Sequence, residues 1–235
     1  MPSSSSNPPD RDGSEVAPPI PDQLPRPAVG RLCLYFRELH RLNDGSLRHV
    51  SSRDIASLVD VSADLVRRDL ADIGARGRRG VGYEVSALTD RIGRVLGGGR
   101  SWSVALVGVG SLGQALLKYR GFERLGFRLT VAVDRDPERI GQRIGSIRVT
   151  DERGLEDALQ RHPADLAILA VPASAAADVA ARLVAAELRG ILNFAPVTLK
   201  LPADVAVVNV DLASEMQRLV FSVRRGENAN TTPRR

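Results

Sequence analysis

The sequence is poor in the residues that build disulfide and metal sites. Its 235 residues include one cysteine and three histidines. The single thiol of Cys33 can form no intramolecular disulfide, and His40, His49 and His162 are too scattered to form a ligand cluster. We therefore expect no metal, and we interpret Cys33 as a core residue because it lies in an apolar helical pattern.

Long hydrophobic runs are also missing. The longest, Leu166–Val171 and Val205–Val210, are far shorter than the roughly 20 residues that cross a bilayer. The first residues lack the charged-then-apolar layout of a signal peptide. The sequence therefore predicts a cytoplasmic protein that has no membrane partner.

Basic charge is concentrated in one part of the chain. Residues 26–100 carry fourteen basic and nine acidic groups, whereas residues 1–25 carry one and four. A local basic excess favours a polyanionic partner there. A solvated basic face without a partner would show the same balance.

Three helices are predicted at the start of the ordered chain. Apolar residues recur at three- and four-residue steps from Ala28 to Leu42, until an Asn-Asp-Gly sequence ends the pattern. Ser51 and Ser52 provide the N-terminal cap of a second short helix, and Ser62 can cap a third.

The third helix has the layout of a DNA-recognition helix. Its apolar residues face inward and leave Arg67 and Arg68 on the outer side. The glycine-rich segment that follows, with Arg78 and Arg79 between its turns, predicts a β-hairpin wing beside DNA phosphates. Residues 28–98 are therefore predicted to form a winged helix-turn-helix domain.

From Trp102 onward strands and helices alternate, which predicts a parallel sheet of the doubly wound α/β class. The predicted strands are Val104–Val107, Leu129–Val133, Ile147–Val149, Leu166–Val171, Gly190–Phe194 and Val205–Val210. The predicted helices are Leu112–Tyr119, Gly154–Arg161, Ala175–Glu187 and Leu212–Val223. We therefore assign a Rossmann domain to 99–210 and a separate C-terminal helix to 211–225.

Both ends of the chain are predicted to be disordered tails. The first 27 residues hold eight prolines and five serines and almost no apolar periodicity. Such a segment buries too little surface to offset the entropy of the chain. The same reasoning applies to 226–235.

A dinucleotide site is predicted at the first turn of the sheet. Gly108, Gly110 and Gly113 form a G-x-G-x-x-G turn between a strand and a helix. The first makes the tight turn, the second admits the pyrophosphate and the third permits close packing. Asp134 ends the next strand, about twenty residues on, where a carboxylate can bind the adenosine ribose. That carboxylate repels a 2′-phosphate, so NAD(H) is expected rather than NADP(H), with Arg135 as the one contrary residue.

The predicted cofactor site therefore consists of the whole glycine loop and the acid that follows it. These residues are Gly108, Val109, Gly110, Ser111, Leu112, Gly113 and Asp134.

Catalytic residues are not evident beside this site. A dehydrogenase needs a proton-transfer group that faces the nicotinamide, and Lys118, His162 and Lys200 have no evident acid or base partner. The sequence favours a binding protein over an enzyme. Two alternatives stay open: an oxidoreductase with a basic head, and a related nucleotide-binding fold, such as a CoA-ligase-like one, that senses another ligand.

The chain resembles the Rex family of bacterial redox-sensing transcriptional repressors over about Arg31 to Phe221. The segments that carry the resemblance are Arg31–Leu32, Ser51–Ser52, Val66–Leu70, Arg79–Tyr83, the glycine loop, Tyr119–Phe122, Asp134–Pro137, Ala170–Ala173, Gly190–Pro196 and Asn209–Leu212. The resemblance implies a homodimer that binds a palindromic double-stranded operator and leaves it when NADH binds. It also implies that the last helix is swapped between the two subunits.

The resemblance further implies roles for individual residues. The DNA-binding residues would be Arg31, Arg37, Ser51, Ser52, Arg67, Arg68, Arg78 and Arg79. Tyr119 and Asp211 would form a switch linked to the nicotinamide. Alternatively, Tyr119 is a core aromatic residue and Asp211 only caps the last helix.

Overall fold

The computed structural model describes residues 24–43 and 47–231, with side chains described up to Arg224. The chain divides into two compact units after Gly99, one residue from the predicted boundary. Most of the predicted N-terminal tail, and residues 232–235, lie outside the described residues. None of the described helices is long and apolar enough to cross a membrane.

The N-terminal unit consists of four helices and two very short strands. They are α1 (Arg26–Asn43), β1 (His49–Val50), α2 (Ser52–Val59), α3 (Ala63–Asp72), β2 (Tyr83–Glu84) and α4 (Val85–Val95). The first helix begins at Arg26, inside the segment predicted to be a tail, because Pro27 suits the first turn of a helix.

Local capping explains where α2 and α3 begin. Ser51 accepts a hydrogen bond from the backbone N–H of Asp54, whose carboxylate accepts one from the N–H of Ser51, so the two form a capping box. Ser62 accepts from the N–H of Leu65. Between the helices Asp60 adopts a left-handed φ of 53°, which turns the chain sharply. The helix-turn-helix prediction is confirmed.

Cys33 does not lie in the core, which corrects our interpretation. The buried face of α1 carries Leu32, Tyr35 and Leu39 at helical spacing. Cys33 directly follows Leu32 and is therefore rotated off this face, and it is exposed.

The wing is smaller than the predicted hairpin. A single bridge joins Arg78 to Gly82, and the strand that follows, β2, pairs antiparallel with β1 instead of completing a hairpin of its own. Gly82 has a φ of 92° and passes so close to Val50 that a Cβ would collide with the Val50 carbonyl. Only glycine allows the two backbone segments to approach this closely.

The C-terminal unit contains a six-stranded parallel sheet in the order β10-β9-β8-β3-β4-β7. The strands of this unit are β3 (Trp102–Val107), β4 (Phe127–Asp134), β5 (Arg143–Ile144), β6 (Ile147–Arg148), β7 (Thr150–Asp151), β8 (Leu166–Leu169), β9 (Gly190–Asn193) and β10 (Ala206–Asn209). The helices are α5 (Ser111–Leu117), α6 (Gly121–Arg124), α7 (Leu155–Arg161), α8 (Ala173–Ala185) and α9 (Leu212–Thr231). The chain reverses its direction across the sheet between β3 and β8, as in a Rossmann fold.

One predicted strand has a different place. We expected Ile147–Val149 to be a strand of the sheet, but Ile147 and Arg148 pair antiparallel with β5 in a separate hairpin. Gly145, with a φ of 61°, begins its two-residue turn. The edge strand is instead β7, which pairs with the last two residues of β4.

The last helix is longer than predicted. It continues to Thr231, so 226–231 are helical where we expected a disordered tail. Extending an existing helix is much easier than starting one, which is why a polar end can continue it. From Leu212 to Arg224 its side chains are exposed except that of Ser214, which is half-buried.

Candidate functional site

The three glycines of the loop have different surroundings. Gly108 has a φ of 94°, and a Cβ there would collide with the carbonyl of Ala170. A Cβ on Gly113 would collide with the carbonyl of Gly108. At Gly110 the nearest atom to a Cβ is Nη1 of Arg139, at an ordinary 3.8 Å. The protein itself therefore needs the first and third glycines, whereas the second leaves an open surface on the loop.

This open surface faces a cleft of about 620 Å³ at the carboxyl ends of β3, β4 and β8. The cleft lies where the order of the strands reverses, the usual ligand site of an open α/β sheet. Its volume lies within the range of small-molecule sites. The lining residues are Gly108, Gly110, Asp134, Arg135, Asp136, Arg139, Glu152, Ala170, Val171, Pro172 and Ala175.

Asp134 fixes the glycine loop from inside the protein. Its side chain is 5% exposed, and Oδ2 accepts a hydrogen bond of 2.6 Å from the N–H of Val109. Oδ1 accepts one of 2.8 Å from the N–H of Asp136. Burial opposes ionisation, but these two N–H groups and Arg139 outweigh it and lower the pKa of Asp134. The carboxylate is thus a charged anchor for the loop, a role that the sequence pattern did not indicate.

Arg139 is the main residue of the cleft that the sequence analysis missed. Its Nη1 lies 3.3 Å from Oδ2 of Asp134, and its Nε lies 3.5 Å from Oδ2 of Asp136. Two carboxylates therefore hold the guanidinium beside Gly110. The available signal was its position five residues after Asp134, beyond a Pro137 turn that returns the chain to the cleft.

Tyr119 and Asp211 have different surroundings within the described chain. Tyr119 is 56% exposed and packs edge-on against Phe122, so the alternative that it is a core aromatic residue is wrong. Asp211 caps α9: it accepts hydrogen bonds from the N–H of Ala213 at 3.0 Å and from the hydroxyl of Ser214 at 2.6 Å. The hydroxyl bond is the main reason that the pKa of Asp211 is lowered. Among the described residues no contact joins Tyr119 to Asp211.

The recognition helix α3 exposes two adjacent arginines. Arg67 donates to the hydroxyl of Ser52 at 3.0 Å and pairs with Asp64, which ties α3 to the start of α2. Arg68 is exposed, and none of the described side chains forms an ion pair with it. The structure thus has one positioned arginine and one free arginine on the outer side of α3.

Arg31 is engaged inside the N-terminal unit. Its Nε and Nη2 donate to the two carboxylate oxygens of Asp69 at 2.6 and 2.7 Å. Tyr35 donates to the same carboxylate at 2.8 Å. This hydrogen bonding raises the pKa of Arg31. Because Asp69 is almost fully buried, the cluster joins α1 to α3, and Arg31 is held there rather than freely exposed.

The remaining predicted DNA contacts lie on the surface. Arg37 is 65% exposed and donates to Glu38 at 2.9 Å. Arg78 and Arg79 are exposed on the wing. Because these side chains are exposed, each can contact a large polyanion without a change in the fold of this unit.

Comparison with protein families matches both units. Residues 23–71 match the family described as a putative DNA-binding protein N-terminus. Residues 100–197 match the family described as a CoA binding domain. These matches agree with a DNA-binding unit followed by a nucleotide-binding unit.

A full-length relative decides the family. The chain is 54% identical over 202 residues to the redox-sensing transcriptional repressor Rex of Rhodopirellula baltica, covering 86% of this chain and 85% of that protein. The chain belongs to the Rex family. Rex proteins are transcriptional repressors, which confirms the predicted function. The oxidoreductase alternative is therefore wrong.

Solved structures show the same fold. A crystal structure of RSP in complex with β-NAD⁺ and operator DNA matches with a TM-score of 0.81 and 32% identity, covering 89% of this chain and 97% of that one. A second structure, of RSP in complex with β-NADH, matches with a TM-score of 0.79 and 31% identity, covering 88% of this chain and 97% of that one.

Proposed function

We propose that this Rex protein acts in the cytoplasm as a homodimer that binds operator DNA and releases it when NADH fills the cleft at Gly108–Gly113. The observation that carries the proposal is the open side of Gly110 above a cleft, in the same chain as a helix-turn-helix with an exposed arginine. RSP is a Rex-family repressor, and it has been solved with NAD⁺ and operator DNA together and, separately, with NADH.

The cofactor would be held mainly by the backbone. The pyrophosphate would approach Gly110, and Gly110, Ser111 and Leu112 would contribute their backbone N–H groups. Asp134 would keep the loop in place for this contact, because its bond to the N–H of Val109 is buried and charged. The bound cofactor supplies the redox signal through its nicotinamide.

Preference for NAD(H) over NADP(H) is supported by the charges in the cleft. Asp134, Asp136 and Glu152 line it together with Arg135 and Arg139, and Arg139 is already paired with two of these carboxylates. A 2′-phosphate would have to compete for the guanidinium with two anions. A 2′-hydroxyl would not.

DNA binding would use both exposed and positioned groups. Arg68 on α3 would reach the bases or phosphates of the major groove, with Arg67 held beside it by Ser52. Arg37, Arg78 and Arg79 would contact the backbone. Arg31 would contribute mainly by holding α3 through Asp69.

Dimerisation through α9 is supported by its exposed apolar side chains. Those on the described part of the helix are Leu212, Met216, Leu219, Val220, Phe221 and Val223, which are all at least 50% exposed. A face of this kind is typical of a subunit interface. Since Tyr119 and Asp211 do not meet within one chain, we propose that they meet across this interface. NADH would then favour a form of the dimer in which the two N-terminal units cannot bind both halves of the palindromic operator at once.

The direct test is operator binding by fluorescence anisotropy, with a palindromic candidate from upstream of the protein's own gene. We expect NADH to release the DNA at a much lower concentration than NAD⁺ does. Binding that ignores both nucleotides would mean that another ligand gives the signal. Absence of any DNA binding would refute the proposal.

The Arg68→Ala variant tests the placement of the recognition helix. We expect weaker operator binding with unchanged NADH affinity. Arg153→Ala is the matched control, because Arg153 is an exposed arginine of the C-terminal unit, paired with Asp151. Normal operator binding by Arg68→Ala would show that α3 is not the reading element.

A further inference from the structure

A second cavity, of about 430 Å³, lies along the outer edge of β4. It is open because β7 pairs only with Val133 and Asp134, so residues 129–132 of β4 form a wall of the cavity. The other walls come from the β5–β6 hairpin and from α7. None of its lining residues belongs to the dinucleotide cleft.

An unpaired hydroxyl lies at this wall. Val104 pairs with Leu129 and Ala105 with Val131, so Thr130 is the extra residue of a β-bulge. Bulges redirect side chains and occur frequently beside functional sites. The hydroxyl oxygen of Thr130 is buried and has no hydrogen-bond partner. Because this oxygen is closed off from the cavity, it is not one of the groups that could bind a ligand there.

The charge of the lining is of one sign. Its polar side chains are Thr130, Ser146, Arg148, Thr150, Arg161 and His162, and none of the residues that line the cavity is acidic. Arg161 uses its Nε to donate to the carbonyl of Asp157 at 3.1 Å, a bond that does not involve its terminal nitrogens. The position of Arg161 and His162 at the end of α7 also suits the helix dipole. That explanation does not account for Arg148, which lies in the β5–β6 hairpin.

We propose that this cavity binds a phosphate group, as inorganic phosphate or as a small phosphate ester. Arg148 and Arg161 would donate charge-assisted hydrogen bonds to the phosphate oxygens, and the hydroxyl of Ser146 would donate to the same group. A volume of about 430 Å³ exceeds that of one phosphate ion, which leaves room for the small organic part of an ester.

The test is calorimetric titration of the full chain with inorganic phosphate, at constant ionic strength and with saturating NADH to occupy the dinucleotide cleft. The double variant Arg148→Gln/Arg161→Gln should weaken phosphate binding by about tenfold or more, because each lost bond involves a charged donor. Arg143→Gln is the matched control. Arg143 lies opposite Arg148 in the same hairpin and does not line the cavity, so this variant should bind phosphate normally.

Ser146→Ala gives an independent readout. Ser146 lines the cavity and is exposed, so this variant should weaken phosphate binding while its melting temperature without phosphate stays that of the wild type. Three results would overturn the proposal: no phosphate binding by the wild type with or without NADH, equal binding by the double variant, or binding that is seen only when NADH is left out. The last result would place the phosphate in the dinucleotide cleft. NADH binding and operator release are measured separately, so their failure would not be mistaken for a failure of this site.

Discussion

The buried cluster of Arg31, Tyr35 and Asp69 makes a strong prediction about the recognition helix. Asp69→Asn preserves the volume of the side chain but removes its charge, which leaves Arg31 without a carboxylate. The side chain of Asp69 is only 2% exposed, so water cannot replace the lost interaction. We expect the N-terminal unit to be destabilised and α3 to lose its fixed position against α1.

The size of the effect follows from burial. Breaking a buried ion pair by removing one partner costs about 3–5 kcal/mol, and asparagine should lie near the lower end because it still accepts one hydrogen bond. Asp64→Asn is the control on the same helix. The pair of Asp64 with Arg67 has side chains that are 86% and 52% exposed, so its loss should cost no more than about 1 kcal/mol.

Unfolding in urea measures both variants. Circular dichroism follows the whole chain, and the fluorescence of Trp102, in β3, reports on the C-terminal unit alone. Asp69→Asn should lower the stability of the N-terminal transition and weaken operator binding, while NADH binding and the Trp102 transition stay unchanged. If Asp69→Asn and Asp64→Asn had equal effects, the cluster would not be what holds α3.

Three further predictions concern the C-terminal unit. Gly110→Val should keep the fold, since its Cβ has space, but lower NADH affinity at least about tenfold in a fluorescence titration by blocking the pyrophosphate; unchanged affinity would place the cofactor elsewhere. Arg182 lowers the pKa of Glu156 from 4.5 to about 2 by hydrogen bonding. At neutral pH, Glu156→Gln should therefore lower the free energy of unfolding by at most about 1 kcal/mol, because the pair is half-exposed. Urea unfolding should show this difference from the wild type disappearing as the pH falls from 4.5 towards 2, because the wild-type carboxylate is then protonated. Leu219→Asp, on the exposed face of α9, should shift the protein from dimer to monomer in sedimentation, and an unaffected dimer would exclude that face.

Features that depend on neighbours in the sequence could be predicted well. Ser51 and Ser62 were expected to cap helices, and both do so through backbone groups three residues away. The glycine loop was expected between a strand and a helix, and it is found there. Each of these features involves short-range geometry that the residue types largely determine.

Contacts between distant residues could not be predicted in this way. Arg31 and Asp69 are 38 positions apart, and an arginine on a helix has the same pattern whether it faces DNA or a buried acid. The edge strand was misplaced for a similar reason: Ile147–Val149 is apolar enough for a strand, but only the turn at Gly145 decides with which segment it pairs.

Asp134 shows that a residue predicted to bind a ligand can also have a structural role that the sequence pattern does not reveal. The pattern places an acid at the end of β4, and a ribose is the expected partner. In the folded chain both carboxylate oxygens already accept hydrogen bonds from the protein, and one of them fixes the N–H of Val109 in the glycine loop. On the proposed function, the acid would act on the cofactor first through the loop that it holds. Asp136 also lines the cleft, and Arg139 approaches it because the chain turns back after Pro137, so both would contribute to discrimination at the ribose.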